Sequence, residues 1–459
     1  MPDRRATALL AAALALALAL APVGCAYFNT FSNAKKFYRE AENLPLGPDG
    51  NVTPTARKKY DQAIAKCQKL MDLYPDSDLV DDALLLMSRA YFQKREYGRC
   101  LNRMAELDER FPEHEFGEEV LYMRGVCQLE SGDESRAIAA LTRLADEHPE
   151  SEHLAEGLFR IGEAEYRLGN WEDAVAAYAN LVERVESGEW TDRARLRIAR
   201  AQRELDRDEA ALATLIELAE RGEDRRQIFE GQMLRAETLL DLKRFDESRA
   251  VMEGVLDVAA NYQSRPEALL LSARVDEEEG NLDEAVVLLE NIAQEFPRSL
   301  HAAEAWYRIG LIRQVRHRDL EGAVEAYEQV SRELPRSVFT DLANTKKRAI
   351  QEYLDVRAQF GEEAPDSSAA VIQFRLAENQ LLRLEDPEAA LPEYRKILDL
   401  YPESPQAPSA AYALCYIYRY SLADTAAALA AVDFLRTNYP DSEAAAFVAR
   451  WPEQLGSAP

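Results

Sequence analysis

Five histidines, five cysteines and 82 carboxylates are the side chains of this 459-residue chain that could bind a metal, attack a substrate or move a proton. The histidines are His114, His148, His153, His301 and His317. His148, Glu150 and His153 are near enough in sequence to share a cation, but a metal site needs three or four convergent ligands. These three bracket a Pro-containing junction, where they read as solvated turn residues. No Gly-rich loop followed by Lys, no His-Glu-x-x-His and no Gly-x-Ser-x-Gly is present, and spacing sets no carboxylate pair apart for acid–base work. The residue types therefore support neither catalysis nor a cofactor, and binding is left as the task.

The balance of 55 basic against 82 acidic residues gives a net charge of −27, which repels phosphate backbones and argues against nucleic acid. A composition 47% hydrophobic and 30% charged is that of a folded chain. Five cysteines are too few for a disulfide framework at this length. Cys67 and Cys100 fill small or apolar helix slots, Cys127 lies two residues past Gly125, and Cys415 stands alone. Export would permit a disulfide among Cys67, Cys100 and Cys127, while the slots by themselves account for at least two of them as buried thiols.

Export is what the first 24 residues suggest. Arg4 and Arg5 precede an Ala/Leu run from Ala8 to Ala21, then Pro22, Val23, Gly24 and Cys25. Positive, apolar and small, in that order, is the layout of a secretory signal, and the run is shorter than the roughly 18 residues that span a bilayer. Cys25 after Gly24 resembles the acylated cysteine of bacterial lipoproteins, with Pro22 where that pattern has Leu. Ala26, in place of Asp, implies by the same resemblance an outer-membrane, periplasm-facing address and a membrane attachment through the lipid anchor.

The remainder is periodic. Pro75, Pro112 and Pro149 are 37 residues apart, Pro297 is four such steps further, and the junctions read Tyr74-Pro75-Asp76-Ser77, His148-Pro149-Glu150-Ser151, Phe296-Pro297-Arg298-Ser299, Tyr401-Pro402-Glu403-Ser404 and Tyr439-Pro440-Asp441-Ser442. Steps of 37 from Ser88 meet Gly125, Gly162, Ala199, Ala236, Ala273 and Gly310, a column of small residues that lets two helices approach. A second column, Ala63, Cys100, Ala137, Ala174, Ala211, Ser248 and Ala285, continues after one-residue slips at Ala323, Ala390 and Ala428. Large apolar residues stand four and seven beyond most of its members, as on one face of an α-helix. Each block is thus two helices with a breaker such as Leu168-Gly169-Asn170-Trp171 between them.

With Leu158, Gly162, Gly169, Trp171, Ala174, Tyr178 and Leu181 the block resembles a tetratricopeptide repeat (TPR), at 37 residues instead of 34. Longer blocks with Tyr-Pro-Asp-Ser junctions resemble exported TPR outer-membrane lipoproteins of the BamD type. The pattern predicts an all-α fold, an α-solenoid of about ten TPR-like helix pairs. The expected organisation is a signal peptide at 1–24, a solenoid at 25–335, an inserted helix and loop at 336–368, and repeats with a capping helix at 369–459. A further loop is expected around Leu44 to Gly50, within the first block.

One column could meet a partner. Six residues before each small residue of the first helix stand Asp82, Glu119, Glu156, Arg193, Glu230, Glu267 and Glu304. As a groove lining these carboxylates would favour a polypeptide with basic groups; as first-turn residues they would answer the helix dipole. The neighbouring column of Leu85, Tyr122, Phe159, Leu196, Met233, Leu270 and Tyr307 is mostly core. The resemblance implies a scaffold that binds envelope proteins or polypeptide segments in outer-membrane protein assembly or secretion. The alternative is a periplasmic coordinator that recruits a peptidoglycan or cell-division enzyme.

Overall fold

A computed structural model describes residues 29–258, 264–361 and 366–451. The leader at 1–24, Cys25 and the end of the C-terminal tail lie outside these residues. The chain divides between Leu239 and Leu240 into two compact units.

In the first unit, helices follow in pairs: α1 (29–42) and α2 (Pro54–Leu73), α3 (Val80–Gln93) and α4 (Tyr97–Arg110), α5 (Gly117–Glu130) and α6 (Glu134–Glu147), α7 (Leu154–Leu168) and α8 (Trp171–Arg184), α9 (Glu189–Glu204) and α10 (Asp208–Arg221). Helix α11 (Arg225–Asp241) follows. The second unit continues with α12 (Phe245–Val258), α13 (Arg265–Glu279), α14 (Leu282–Glu295), α15 (Leu300–Leu311) and α16 (Leu320–Glu333). A solitary α17 (Val338–Gly361) precedes the pairs α18 (Asp366–Glu378) with α19 (Pro387–Leu400) and α20 (Ala407–Tyr416) with α21 (Thr425–Asn438). The short α22 (Glu443–Val448) closes the described array. Among the described residues the only β pairing is an isolated bridge, Leu46 to Val52, in the loop between α1 and α2. The chain is an all-α, TPR-like solenoid.

The two columns explain why the pairs close. Ser88, Ala199, Ala236 and Ala273 are fully buried, as are Ala63, Cys100, Ala137, Ala174, Ala211, Ser248, Ala285, Ala323, Ala390 and Ala428. Four residues past each member of the second column stands a buried side chain, among them Met104, Leu141, Tyr178, Leu289, Tyr327 and Tyr394. Glycine is required in the first column where that side chain is pressed onto the backbone. A Cβ at Gly162 would overlap the Tyr178 ring, one at Gly310 the Tyr327 ring, and one at Gly125 the Leu141 side chain. The first column runs on through Ala377 and Cys415, both fully buried, so Cys415 is a core thiol filling a small slot.

The junctions end one helix and start the next. Tyr74, Phe111, His148, Phe296, Tyr401 and Tyr439 each cap a second helix with a non-helical backbone, φ from −140 to −121° and ψ from 49 to 66°, and each is followed by Pro, which cannot continue a helix. Ser299 and Ser442 then accept from the backbone N–H three residues on, at 3.0 and 3.1 Å.

The one-residue slips have a structural cause. The described first helices α15, α18 and α20 end in single π-turns, Ile312–Arg316, Asn379–Arg383 and Ile417–Ser421. Each closes with an i to i+5 bond, His317 N to Ile312 O at 3.1 Å, Leu384 N to Asn379 O at 2.9 Å and Leu422 N to Ile417 O at 3.0 Å. A π-turn takes up one extra residue while the helix before it and the turn after it keep their geometry. The turn itself is restored each time by a capping aspartate, Asp319, Asp386 or Asp424, which accepts the N–H three residues on.

Candidate functional site

Helices α1, α3 and α5, with the lead-in to α7, enclose a cleft of about 730 Å³ in the first unit. Its apolar floor comes from Tyr38 of α1, Leu86 and Phe92 of α3, and Phe116, Tyr122 and Met123 at and in α5. Lys35 and Arg39 of α1 are exposed on one side; Glu115, Glu118, Glu119 and Glu152 stand on the other. Their positions follow from helix periodicity, since Lys35, Tyr38, Arg39 and Glu42 are spaced three and four apart on one face of α1.

Two histidines set the aromatic wall. His114 Nδ1 accepts the Phe116 N–H at 3.2 Å, which leaves its Nε2 proton to be donated to Asp108 Oδ1 at 3.1 Å. The His114 and Phe116 rings stack at 5.8 Å. His153 lies flat on Tyr122, centroids 4.1 Å apart and planes 7° apart. Burial, then the nearby Glu156 carboxylate, raises the Tyr122 hydroxyl above its ordinary range, so it stays a neutral donor. His148 and His153 thus divide, His153 being a stacking residue of the cleft. Among the described residues no three His, Cys, Asp or Glu converge as a metal site.

The acidic column is held largely by arginine. Glu119 takes both arms of Arg89, which reaches across from α3, and its hydrogen bond raises the guanidinium further. Arg160 binds Glu156 on its own helix at 2.9 Å and Glu130 of α5 at 3.2 Å. Glu230 faces Arg226 at 3.0 Å and Arg200 of α9 at 3.7 Å. Within the second unit Glu304 lies 3.8 Å from Arg308, which also meets Glu277 at 3.2 Å. Arg193, the basic member, covers the faces of Trp190 and Phe159 at 4.5 and 4.9 Å. Asp82 is half-buried, and desolvation raises its carboxyl. Glu267 is exposed. Asp82, Glu119, Glu156 and Glu267 fall in first helical turns, whereas Glu230 and Glu304 lie deeper.

The structure thus brings Glu119 into the cleft beside Glu115, Glu118 and Glu152, which the column did not include. Those three flank junctions, and their meeting with α1 has no sequence signal. From the apolar column, Leu85, Phe159, Leu196 and Leu270 are core, while Tyr122 turns a face to the cleft. The cleft can grip an extended segment by apolar contact and by charge, with carboxylates in excess.

Among the described residues no helix is long and apolar enough to cross a membrane. The sequence profile of the YfiO family, described as outer membrane lipoprotein, matches residues 51–156, and the tetratricopeptide repeat profile matches 8–77, 156–185, 267–299 and 372–404. The chain resembles TPR outer-membrane lipoproteins of the BamD type. No curated protein matches it. Similar solved structures include the apo form of RapI, at 14% identity and TM-score 0.48, covering 81% of this chain and 99% of that one. Another is the C-terminal part of a TPR-containing protein from Cytophaga hutchinsonii, at 14% identity and TM-score 0.47, covering 60% and 98%.

Proposed function

We propose that the chain is a non-catalytic scaffold of the bacterial cell envelope, exported by its leader and anchored through acylated Cys25 to the outer membrane, facing the periplasm. There it holds a polypeptide segment of an envelope protein during outer-membrane protein assembly or secretion. The observation that carries the reading is the overlap of the outer membrane lipoprotein profile, 51–156, with the cleft: the lining from Leu86 to His153 falls inside the matched stretch. The excess of carboxylates over Lys35, Arg39 and Arg89 supports a segment with basic groups, and Tyr122 with His153 offers it a flat aromatic face. Glu119 serves in this reading by holding Arg89 in place; Asp82, Glu156 and Glu230 add acidic character to the first helices of the first unit, and Glu267 and Glu304 to those of the second.

The test is a photo-activated crosslinker at Glu118 in intact cells. Outer-membrane barrel proteins as the captured species support assembly, and their absence in favour of peptidoglycan or cell-division enzymes overturns it. Reversing Glu115, Glu118 and Glu152 to Lys is expected to reduce capture at least tenfold with helix content unchanged. For the anchor, Cys25→Ser is expected to move the protein from the membrane fraction to the soluble fraction; retention in the membrane refutes acylation as the attachment.

A further inference from the structure

Cys100 of α4 occupies the small slot that Ala63, Ala137, Ala174 and Ala211 fill in the other second helices of the first unit, and it is fully buried. Cys127 of α5, the next first helix, is also fully buried and belongs to the same apolar cluster. The two helices pack on each other, and the residues one repeat on, Ala137 and Ala164, meet in one buried cluster, the place that Cys100 and Cys127 take in their own repeat. The third thiol in the cluster, Cys67, is perturbed by burial and then by Asp82, not by another sulfur, and is pushed up to about 12. All four described cysteines are free thiols in this structure.

We infer that Cys100 and Cys127 are a disulfide-forming pair, oxidised while the first unit folds, that joins the second helix pair covalently to the third. The inference about compartment rests on the envelope reading; the inference about the pair does not. One thiolate attacks the disulfide of a small-molecule or protein dithiol oxidant, releasing one thiol and leaving a mixed disulfide. The second cysteine then attacks that mixed disulfide, forms the Cys100–Cys127 bond and releases the second thiol. Two protons and two electrons pass from the cysteines to the oxidant. With neither sulfur open to solvent, the exchange takes place before α4 and α5 close on each other. The bond ties α5, which carries Phe116, Glu118, Glu119 and Tyr122 at its start, to the preceding pair.

The test uses the full chain in a Cys25→Ser background, unfolded in urea and refolded with glutathione disulfide. Alkylation after unfolding and digestion without reductant follow. The expected result is a linked peptide pair containing Cys100 and Cys127, with two thiols fewer alkylated than after reduction and with Cys67 and Cys415 fully alkylated. Cys100→Ala, which places in the slot the residue found in neighbouring repeats, is expected to fold and to leave Cys127 fully alkylated. Four alkylated thiols after oxidising refolding, or a bond that involves Cys67 or Cys415, overturns the pair. The same mapping on protein recovered from cells separates the two readings. A bond that forms on refolding but is missing from the cellular protein upholds the pair and counts against export.

Discussion

Tyr178 in the first unit and Tyr327 in the second occupy the same slot over a glycine, and they join neighbouring first helices by opposite means. Tyr178 donates to Glu163 at 2.6 Å, and Glu163 receives Arg197 of the next first helix at 2.8 Å. Tyr327 donates to Gln314 in a π-turn at 2.9 Å, and Gln314 passes its own N–H to the Leu384 carbonyl, 70 residues on, at 3.0 Å. The first seam is ionic and half-exposed. The second is neutral and buried, with Gln314 only 3% exposed. Where these two tyrosines fill the slot, each hydroxyl meets a relay residue, and that relay need not be charged. Where the π-turn draws the relay residue inward, an amide replaces the ion pair, because a buried charge would need fuller compensation.

The comparison rests most heavily on what the two slots share, so its largest test is there. Gly162→Val and Gly310→Val each force a side chain into the tyrosine ring, and each is expected to lower unfolding free energy by about 3 kcal/mol in urea melts. Unequal losses would show that the slots are not equivalent. Separating the relays comes next: Gln314→Leu leaves a buried hydroxyl and a buried carbonyl without their partner, an expected loss of about 2 kcal/mol that salt does not alter. Glu163→Gln keeps an acceptor for Tyr178 and loses the charge, an expected loss of about 1 kcal/mol that shrinks at 1 M salt. Equal salt dependence of the two variants would erase the distinction.

The smallest effect concerns Asp82, a member of the acidic column whose carboxyl is raised, first by desolvation and against the pull of Lys35 and Arg89. A carboxyl raised on folding disfavours the folded state once ionised, a penalty absent below the ordinary value of 3.8 and complete above its folded pKa. Asp82→Asn is therefore expected to raise the melting temperature slightly at pH 7 and to leave it unchanged below about pH 3.8. A destabilised variant at pH 7 would mean that Asp82 is paired as well as its neighbours are.

The two small columns made the helix pairs legible, because close approach restricts residue type at a fixed interval whatever the surroundings. The slip at Ala323 showed that one residue had been added after Ala285, but a spacing cannot tell a longer junction from a π-turn. Nor could the column of Glu119, Glu156 and Glu230 reveal its arginines. Arg89 lies 30 residues before Glu119, and whether they meet depends on how far α3 and α5 rotate toward each other. The cleft was the least legible part, since its exposed cations Lys35 and Arg39 come from α1 while Glu115, Glu118 and Glu152 flank junctions that carry no periodic signal.

The loop at 43–53 that separates α1 from α2 makes the first helix a detachable wall. Its Leu46–Val52 bridge and the Asp49–Asn51 hydrogen bonds are local, so a protease cutting there would leave the rest of the first unit intact. Helix α1 would then be held by Phe31, Ala34, Tyr38 and Ala41, by the edge contact of Tyr38 on Tyr60, and by the Lys59–Glu40 pair. Shedding it takes away Lys35, Arg39 and Glu42 together, turning a walled and mixed-charge cleft into an open, more acidic trough. Clipping of a single exposed turn would in this way retune what the scaffold can hold, with no residue of α3 or α5 altered.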